Sequence, residues 1–594
     1  MKNVKYLGLL MILLVILSAC SPGKKRSERI GEKVEKVNFS LETKNNAPAV
    51  DGSPLRVAMV KDAPLVGIFE ETLSTDGYDS EVNNTFMSNS IFDVDENFEV
   101  INTGLATMDV DANAKKVTIK IKDGVKWSDG QPLVAEDIIY PYEVVGSKDY
   151  TGVRYDTEAK KIVGIEDYHN GKAKTISGIK KINDKTVEIS FTEMGFSVYT
   201  LGNGIIATAL PKHYLKDVPI KDLVSSPKIR TNIVTLGPYV PTKMIQGESI
   251  QFKANPYYFK GKPKIEKVVL EVINQQSIIA ALKTGRYDYV MFMPGDLYDS
   301  LKDLKNTEIL GRQDLYYSYL GFKLGHFDKN KGINITDPKA KMGDKKLRQA
   351  MAYGLNIDQM VQTFYSGIRE RATSMVPPVM TKYFPKGLKG YPYDPKKAKE
   401  LLDEAGYKDI NGDGYREDKN GKPFVIKMAS MSGGDIAEPL AQFYIQNWKD
   451  IGLKVVLTTG RLIELNTFYD KLGADDKDID VFFAAWGVGS SLIPSSTAGK
   501  DAQFNYSRYV TEENERLMDD VVSPKTLTNP NYKAEAYKRW QEYYIDQAVV
   551  VPLTYKYVIY PVNKRLKNVY IGYDSAKLGK DINKWELTAK KPIR

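Results

Sequence analysis

Apolar and polar residues alternate cleanly in two short stretches, 116–122 (KVTIKIK) and 185–191 (KTVEISF). A period of two predicts half-exposed strands there. Two further β-rich runs, 55–60 (LRVAMV) and 267–273 (KVVLEVI), are more continuously apolar. Helical spacing lies between and after them. Its clearest instance opens at Asp394-Pro395, a carboxylate N-cap followed by proline in the first turn, stripes Ala398, Leu401, Leu402 and Ala405, and ends at Gly406. Another begins at Asp344 and puts Leu347, Met351 and Leu355 on one side. Strands mixed with helices predict an α/β (mixed α+β) protein of several domains.

The N-terminus has a third pattern. Lys2 and Lys5 precede an apolar run that starts near Leu7 and closes on Leu17-Ser18-Ala19-Cys20. A basic start, about a dozen apolar residues and small residues before the cut are the marks of a secretory signal. At ~1.5 Å per residue the run is too short to span a ~30 Å hydrocarbon core. Cys20, the chain's one cysteine, stands where a lipoprotein would carry its diacylglycerol thioether. Residues 1–19 are therefore expected to be removed, and Cys20 to be lipidated and to hold the protein on the extracytoplasmic face of a membrane. Residues 20–52 are polar, Lys/Glu-rich and end in Asn45-Asn46-Ala47-Pro48. They are expected to be a flexible tether with a reach of about 30 Å.

With 594 residues and 42% hydrophobic content the chain has material for several cores. The formal charge of +9 does not point to nucleic acid: Lys2 and Lys5 give +2, residues 21–50 give +3, and the rest is spread thinly without a basic run interleaved with aromatics. Committing Cys20 to lipid leaves no thiol for disulfides, iron-sulfur clusters or thiolate zinc. His169, His213 and His326 are scattered.

Catalytic motifs are missing: GxxxxGK[ST], GxSxG and HExxH do not occur. Gly202–Ala207 matches GxGxxA but lacks the ribose-binding acid about twenty residues on. Carboxylates are plentiful, yet none is singled out as a glycosidase pair. The chain is read as a non-enzyme without a cofactor. One segment resembles a calcium loop, with Asp409, Asn411 and Asp413 at positions 1, 3 and 5 and Gly414 at 6, although position 12 is Asn420. An Asx/Gly-rich turn joining two elements explains it equally well. Tyrosines cluster at 316–319, 543–544 and 555–557, which suits a wet, adaptable cleft and strand faces alike.

The segment KIKDGVKWSDGQPLVAED (120–137) resembles the signature of the family 5 extracellular solute-binding proteins, receptors of ABC importers. Leu236-Gly237-Pro238-Tyr239, Asn255-Pro256-Tyr257-Tyr258, the ALKTGRYD run at 281–288, Leu347–Asp358, Trp486-Gly487 and Val551-Pro552-Leu553 are similar to its other landmarks, in order. The resemblance implies a two-lobed receptor that closes by hinge motion. Lobe I would comprise 53–89, 212–273 and 555–594, with an inserted domain at 90–211. Lobe II would comprise 274–554, with crossings near Ile273 and Tyr555. Trp127 and its motif would be structural. The matching ligand positions are Asp76, Gly77 and Tyr78 on the first lobe, and Tyr316, Trp486, Gly489, Asn505 and Tyr555 on the second.

Two positions depart from short-peptide receptors. The Asp three residues after the tryptophan is Gly489, and the Arg three before it is Phe483. Without terminal anchors, a longer peptide held through its backbone is expected, by a monomer that hands it to an ABC permease and ATPase. The alternatives are an oligosaccharide, haem or nickel in the same fold, or a signalling-peptide receptor or adhesin.

Overall fold

A computed structural model describes residues 37–489, 492–529, 531–574 and 581–594. Cys20, the signal segment and Ser490-Ser491 lie outside the described residues. Along the chain, β1 (Leu55–Val60) and the short helix α1 (Gly77–Val82) precede an inserted unit. That unit contains β2 (Ala106–Asp111), β3 (Lys116–Ile121), α2 (Ala135–Gly146), β4 (Ile179–Asn183) and β5 (Thr186–Ser190). The chain returns through β6 (Tyr239–Ile245), β7 (Ser249–Ala254), β8 (Lys267–Ile273) and β9 (Tyr289–Met291) to the long strand β10 (Thr307–Phe322). Then come α3 (Lys345–Tyr353), α4 (Pro395–Glu404), β11 (Val425–Ala429), β12 (Lys454–Leu457) and β13 (Val481–Gly487). Helices α5 (Glu512–Val522) and α6 (Tyr532–Asp546) lead into a second long strand, β14 (Val550–Asn563).

One sheet runs through the body in the order β12-β11-β13-β10-β14-β9-β1-β8-β7-β6. β1 lies between parallel neighbours β8 and β9 and is buried at five of six positions, which is why 55–60 reads as almost continuously apolar. By contrast β3 and β5 bury alternate residues, as their alternation predicts. Asp394 caps α4 by accepting from Lys397 N, and Gly406 at φ +87° stops the chain from continuing as helix.

The strands that join the two halves are β10 and β14. From Thr307 to Gln313 β10 pairs with Asn563 to Tyr557; the register then breaks, and from Tyr316 to Phe322 β10 also pairs with β13. Residues 274–291, expected in the second lobe, return to the first half of the sheet, where β9 pairs with β1. The register break lies between Gln313 and Tyr317 of β10, opposite Tyr555–Tyr557 of β14.

The inserted unit has its own core, with Ile119, Trp127 and Tyr142 fully buried. The Trp127 indole donates to Asp137 Oδ2 at 2.9 Å, and Asp137 Oδ1 accepts from Lys212 N at 2.9 Å. Gly130 at φ +88° closes the turn, its N–H bonding to Trp127 O. The signature motif is thereby a structural lock between the turn, α2 and the strand-return segment.

The tether expectation needs shortening. Residues 39–50 are docked: Gly311 N donates to Ser40 O at 3.1 Å, Ile571 N to Leu41 O at 2.9 Å and Val50 N to Leu587 O at 2.7 Å. The Phe39 ring sits over Gly311, where a Cβ would come within 2.5 Å of it, and packs on Tyr298 and Tyr557. Polar composition suggested a free linker, but its backbone groups find partners on β10 and the C-terminal segment.

Candidate ligand-binding cleft

The site grows from the pairing of β13 with β10. Trp486 lies opposite Tyr317 and Gly487 opposite Tyr316, so adjacent pairs point to opposite faces of the sheet. On one face, half-buried Trp486 packs against Phe504 with ring centroids 5.0 Å apart. Here a cavity of about 490 Å³ opens. Its walls come from three places: Glu71 and Thr72 in the loop before α1; Arg154, Asp156 and Glu158 in the inserted unit; and Trp486, Gly489, Asp501, Phe504 and Trp540 in the second half.

Bonds tie the inserted unit to the second half at and around this cavity. Asp501 accepts from Thr157 Oγ1 at 3.2 Å and pairs with Lys160 at 3.4 Å, Phe196 N donates to Thr526 Oγ1 at 2.7 Å, and Lys382 pairs with Glu99. The wall is rich in carboxylates. Burial pushes the Asp156 carboxyl up to about 6, against the hydrogen bond from Ala159 N, with Glu158 and Asp501 adding to the rise.

The residues expected from sequence fall into three groups. Trp486 and Gly489 line this cavity, and a Cβ on Gly489 would meet nothing within 4 Å. Asp76, Gly77, Tyr78 and Tyr316 form a second cluster. Asp76 caps α1, accepting from Tyr78 N and Asp79 N, and lies 3.6 Å from Lys61 Nζ. The Tyr78 ring packs against Phe292 with centroids 4.3 Å apart and planes tilted by 36°, and burial first, then Asp76 and Tyr316, push its hydroxyl up to about 12. Tyr316 carries Lys556 Nζ 3.8 Å above its ring.

Asn505 and Tyr555 make up the third group, both buried. The Asn505 amide donates to Ala498 O, Gly499 O and Tyr509 O, fixing the loop that carries Phe504. The Tyr555 hydroxyl accepts from Ser374 N and donates to Ser374 O, pinning that segment to β14 beside the register break with β10. Sequence reasoning missed Tyr317, Arg154 and Asp156. Only Tyr317 carried a signal, since strand parity places it with Trp486 once the pairing is known.

At 409–415 the side-chain oxygens are turned onto the loop itself. Asp409 accepts from Gly412 N and Gly414 N, Asn411 from Asp413 N and Asp413 from Tyr415 N. The turn closes on its own amides.

The model of the family "Bacterial extracellular solute-binding proteins, family 5 Middle" matches residues 100–503. This chain belongs to that family. Its members are solute receptors, not enzymes. The receptor is 34% identical over 575 residues to the oligopeptide-binding protein OppA of Lactococcus lactis subsp. cremoris (strain SK11), covering 94% of both chains. Its fold matches lactococcal OppA complexed with an endogenous peptide in the closed conformation at a TM-score of 0.85, with 33% identity, over 90% of this chain and 100% of that one. It also matches AppA of Bacillus subtilis in complex with a nonapeptide at 0.74, with 25% identity, over 91% and 100%. The two-lobed architecture is that of these binding proteins. Among the described residues no helix of the receptor is long and apolar enough to cross a membrane.

Proposed function

We propose that the receptor captures oligopeptides between its lobes outside the cytoplasm and delivers them to an ABC importer. The observation that carries this reading is the walled cavity at Trp486, in a chain aligned over 94% of its length with an oligopeptide-binding relative. A peptide's backbone is the same at every residue, so strand-edge and loop groups beside Trp486 and Gly489 would supply affinity independent of sequence, with water filling the rest. Asp76-Gly77-Tyr78 and Tyr316 would hold the ligand from the facing side. Asn505 and Tyr555 would act indirectly, by fixing the elements around it.

Lipidation of Cys20 is part of the same proposal. Docking of residues 39–50 leaves a shorter stretch to span from membrane to body. The receptor would therefore stay close to its permease. Native mass spectrometry of protein purified without refolding tests the ligand. A mixture of copurified peptides is expected, and a single uniform carbohydrate mass would overturn the reading. A Cys20→Ser variant is expected to appear in the medium or soluble envelope fraction instead of the membrane.

A further inference from the structure

The charged groups on the described cavity wall are acidic except at one position. Among its described lining residues Arg154 is the one cation, against Glu71, Asp156, Glu158 and Asp501. Two of those acids already have lysine partners on the inserted unit: Glu158 with Lys161 at 2.8 Å and Asp501 with Lys160 at 3.4 Å. Arg154 is held differently. Its Nε donates to Glu71 O at 2.7 Å and its Nη2 lies 3.5 Å from Ser74 O, so backbone carbonyls orient it, and among the described residues no carboxylate forms an ion pair with it. Tyr150 assists by donating to Thr72 O at 2.5 Å while accepting from Arg154 N at 3.3 Å. The 150–154 loop therefore clamps the segment just before Asp76-Gly77-Tyr78, with an exposed guanidinium at the cavity.

A guanidinium stays charged at any working pH and offers a planar fork matched to a carboxylate. Nη1 is not used in either backbone contact. We propose that Arg154 binds a carboxylate of the peptide ligand, either its C-terminus or an acidic side chain, and so fixes where along the cleft a negative group can lie. No other charged group on the described wall offers a carboxylate a cationic partner, since the rest are Glu71, Asp156, Glu158 and Asp501. This rests on the peptide reading above. The role is open because Phe483, at the position of the short-peptide receptors' arginine, is packed into the core against Tyr444 at 3.9 Å.

The test compares matched ligands within each variant. A nonapeptide of neutral residues is titrated calorimetrically as free acid and as C-terminal amide, and the amide is also made with one Glu or with Gln at the same place. The wild type is expected to bind at least one carboxylate-bearing peptide about fivefold more tightly than its neutral partner, the upper range for a part-exposed ion pair. In Arg154→Ala and Arg154→Gln that ratio is expected to fall to about one. A clamp acting only on the 71–74 loop would weaken all four peptides alike and leave the ratio intact, which would overturn the inference, as would a wild-type ratio of one in both pairs. The acid/amide and Glu/Gln arms identify the source of the carboxylate. If the wild type binds none of the four, it is the peptide reading that fails.

Discussion

Asp288 and Arg565 offer a test of how the first half of the sheet is held. Both side chains are almost fully buried, at 0% and 1% exposure. Arg565 donates Nε to Asp288 Oδ1 at 2.6 Å and Nη2 to Oδ2 at 2.7 Å, while Oδ2 also accepts from Arg56 N at 2.9 Å. Arg565 Nη1 reaches Ala589 O, so the pair ties β1, the start of β9, the end of β14 and the C-terminal segment together. Replacing Asp288 by Ala leaves a guanidinium closed off from water with only carbonyl partners. The expected cost is about 3–5 kcal/mol, since a buried charge that loses its counter-ion retains its desolvation penalty. Removing both partners in Asp288→Ala/Arg565→Met removes that stranded charge, so part of the loss should return. Urea unfolding followed by tryptophan fluorescence reads both quantities, and Trp585, packed on Tyr289 in this core, reports the right half of the molecule. A loss under about 1 kcal/mol for the single variant, or a double variant no more stable than it, would refute the reasoning.

Trp486→Ala is expected to weaken peptide binding about tenfold with little change in melting temperature, because the ring is half-exposed at a cavity wall; equal affinity of variant and wild type in a fluorescence titration would contradict this. Lys533 is fully buried, and burial pushes its ammonium from the ordinary 10.5 down to about 7. Between those values the unfolded chain holds a proton that the folded one lacks, so this residue makes stability rise with pH from about 7 to 10.5 and contributes no slope below. Lys533→Met should melt higher at pH 7 and lose that slope, and identical pH profiles would count against it. Because Asp409 accepts two loop amides, Asp409→Ala should cost about 1 kcal/mol. EDTA should leave the wild-type melting temperature unchanged, and a chelator-induced fall would instead show a bound cation.

The regular elements were legible because their causes are local. Alternation in 116–122 and 185–191, the Asp394-Pro395 start and the Asp344 start with Leu347 and Met351 each reflect burial or capping within a few residues, while Leu355, expected on the same stripe, lies past the end of α3 at Tyr353. The sheet order was not legible. That β9 returns to β1, and that β10 serves both halves with a break after Gln313, depends on partners far away in sequence. The cleft shows the same limit. Trp486 could be picked from a motif, whereas Arg154 and Asp156 carry no local signature and matter only because the inserted unit brings them to the wall. The docked N-terminal segment misled for the opposite reason: its polar side chains look like a linker, while its backbone makes the contacts.

The two departures around Trp486 now have a physical meaning. Residues 483 and 486 lie three apart on one strand and so face opposite ways. Phe483 stacks on Tyr444 with planes 11° apart and lies against Trp448, so that face of β13 is packed interior and has no room for a hydrated cation. Restoring arginine there would bury a guanidinium against the Tyr444 and Trp448 rings, which predicts instability before any gain in binding. Gly489 is the converse case, with open space around its missing side chain. An aspartate introduced there would stand beside an already acidic wall, so Gly489→Asp is expected to favour ligands with a free amino terminus over acetylated ones. A calorimetric comparison of one nonapeptide with and without an acetyl cap checks this; equal discrimination before and after the substitution would mean that the amino terminus does not come near this loop.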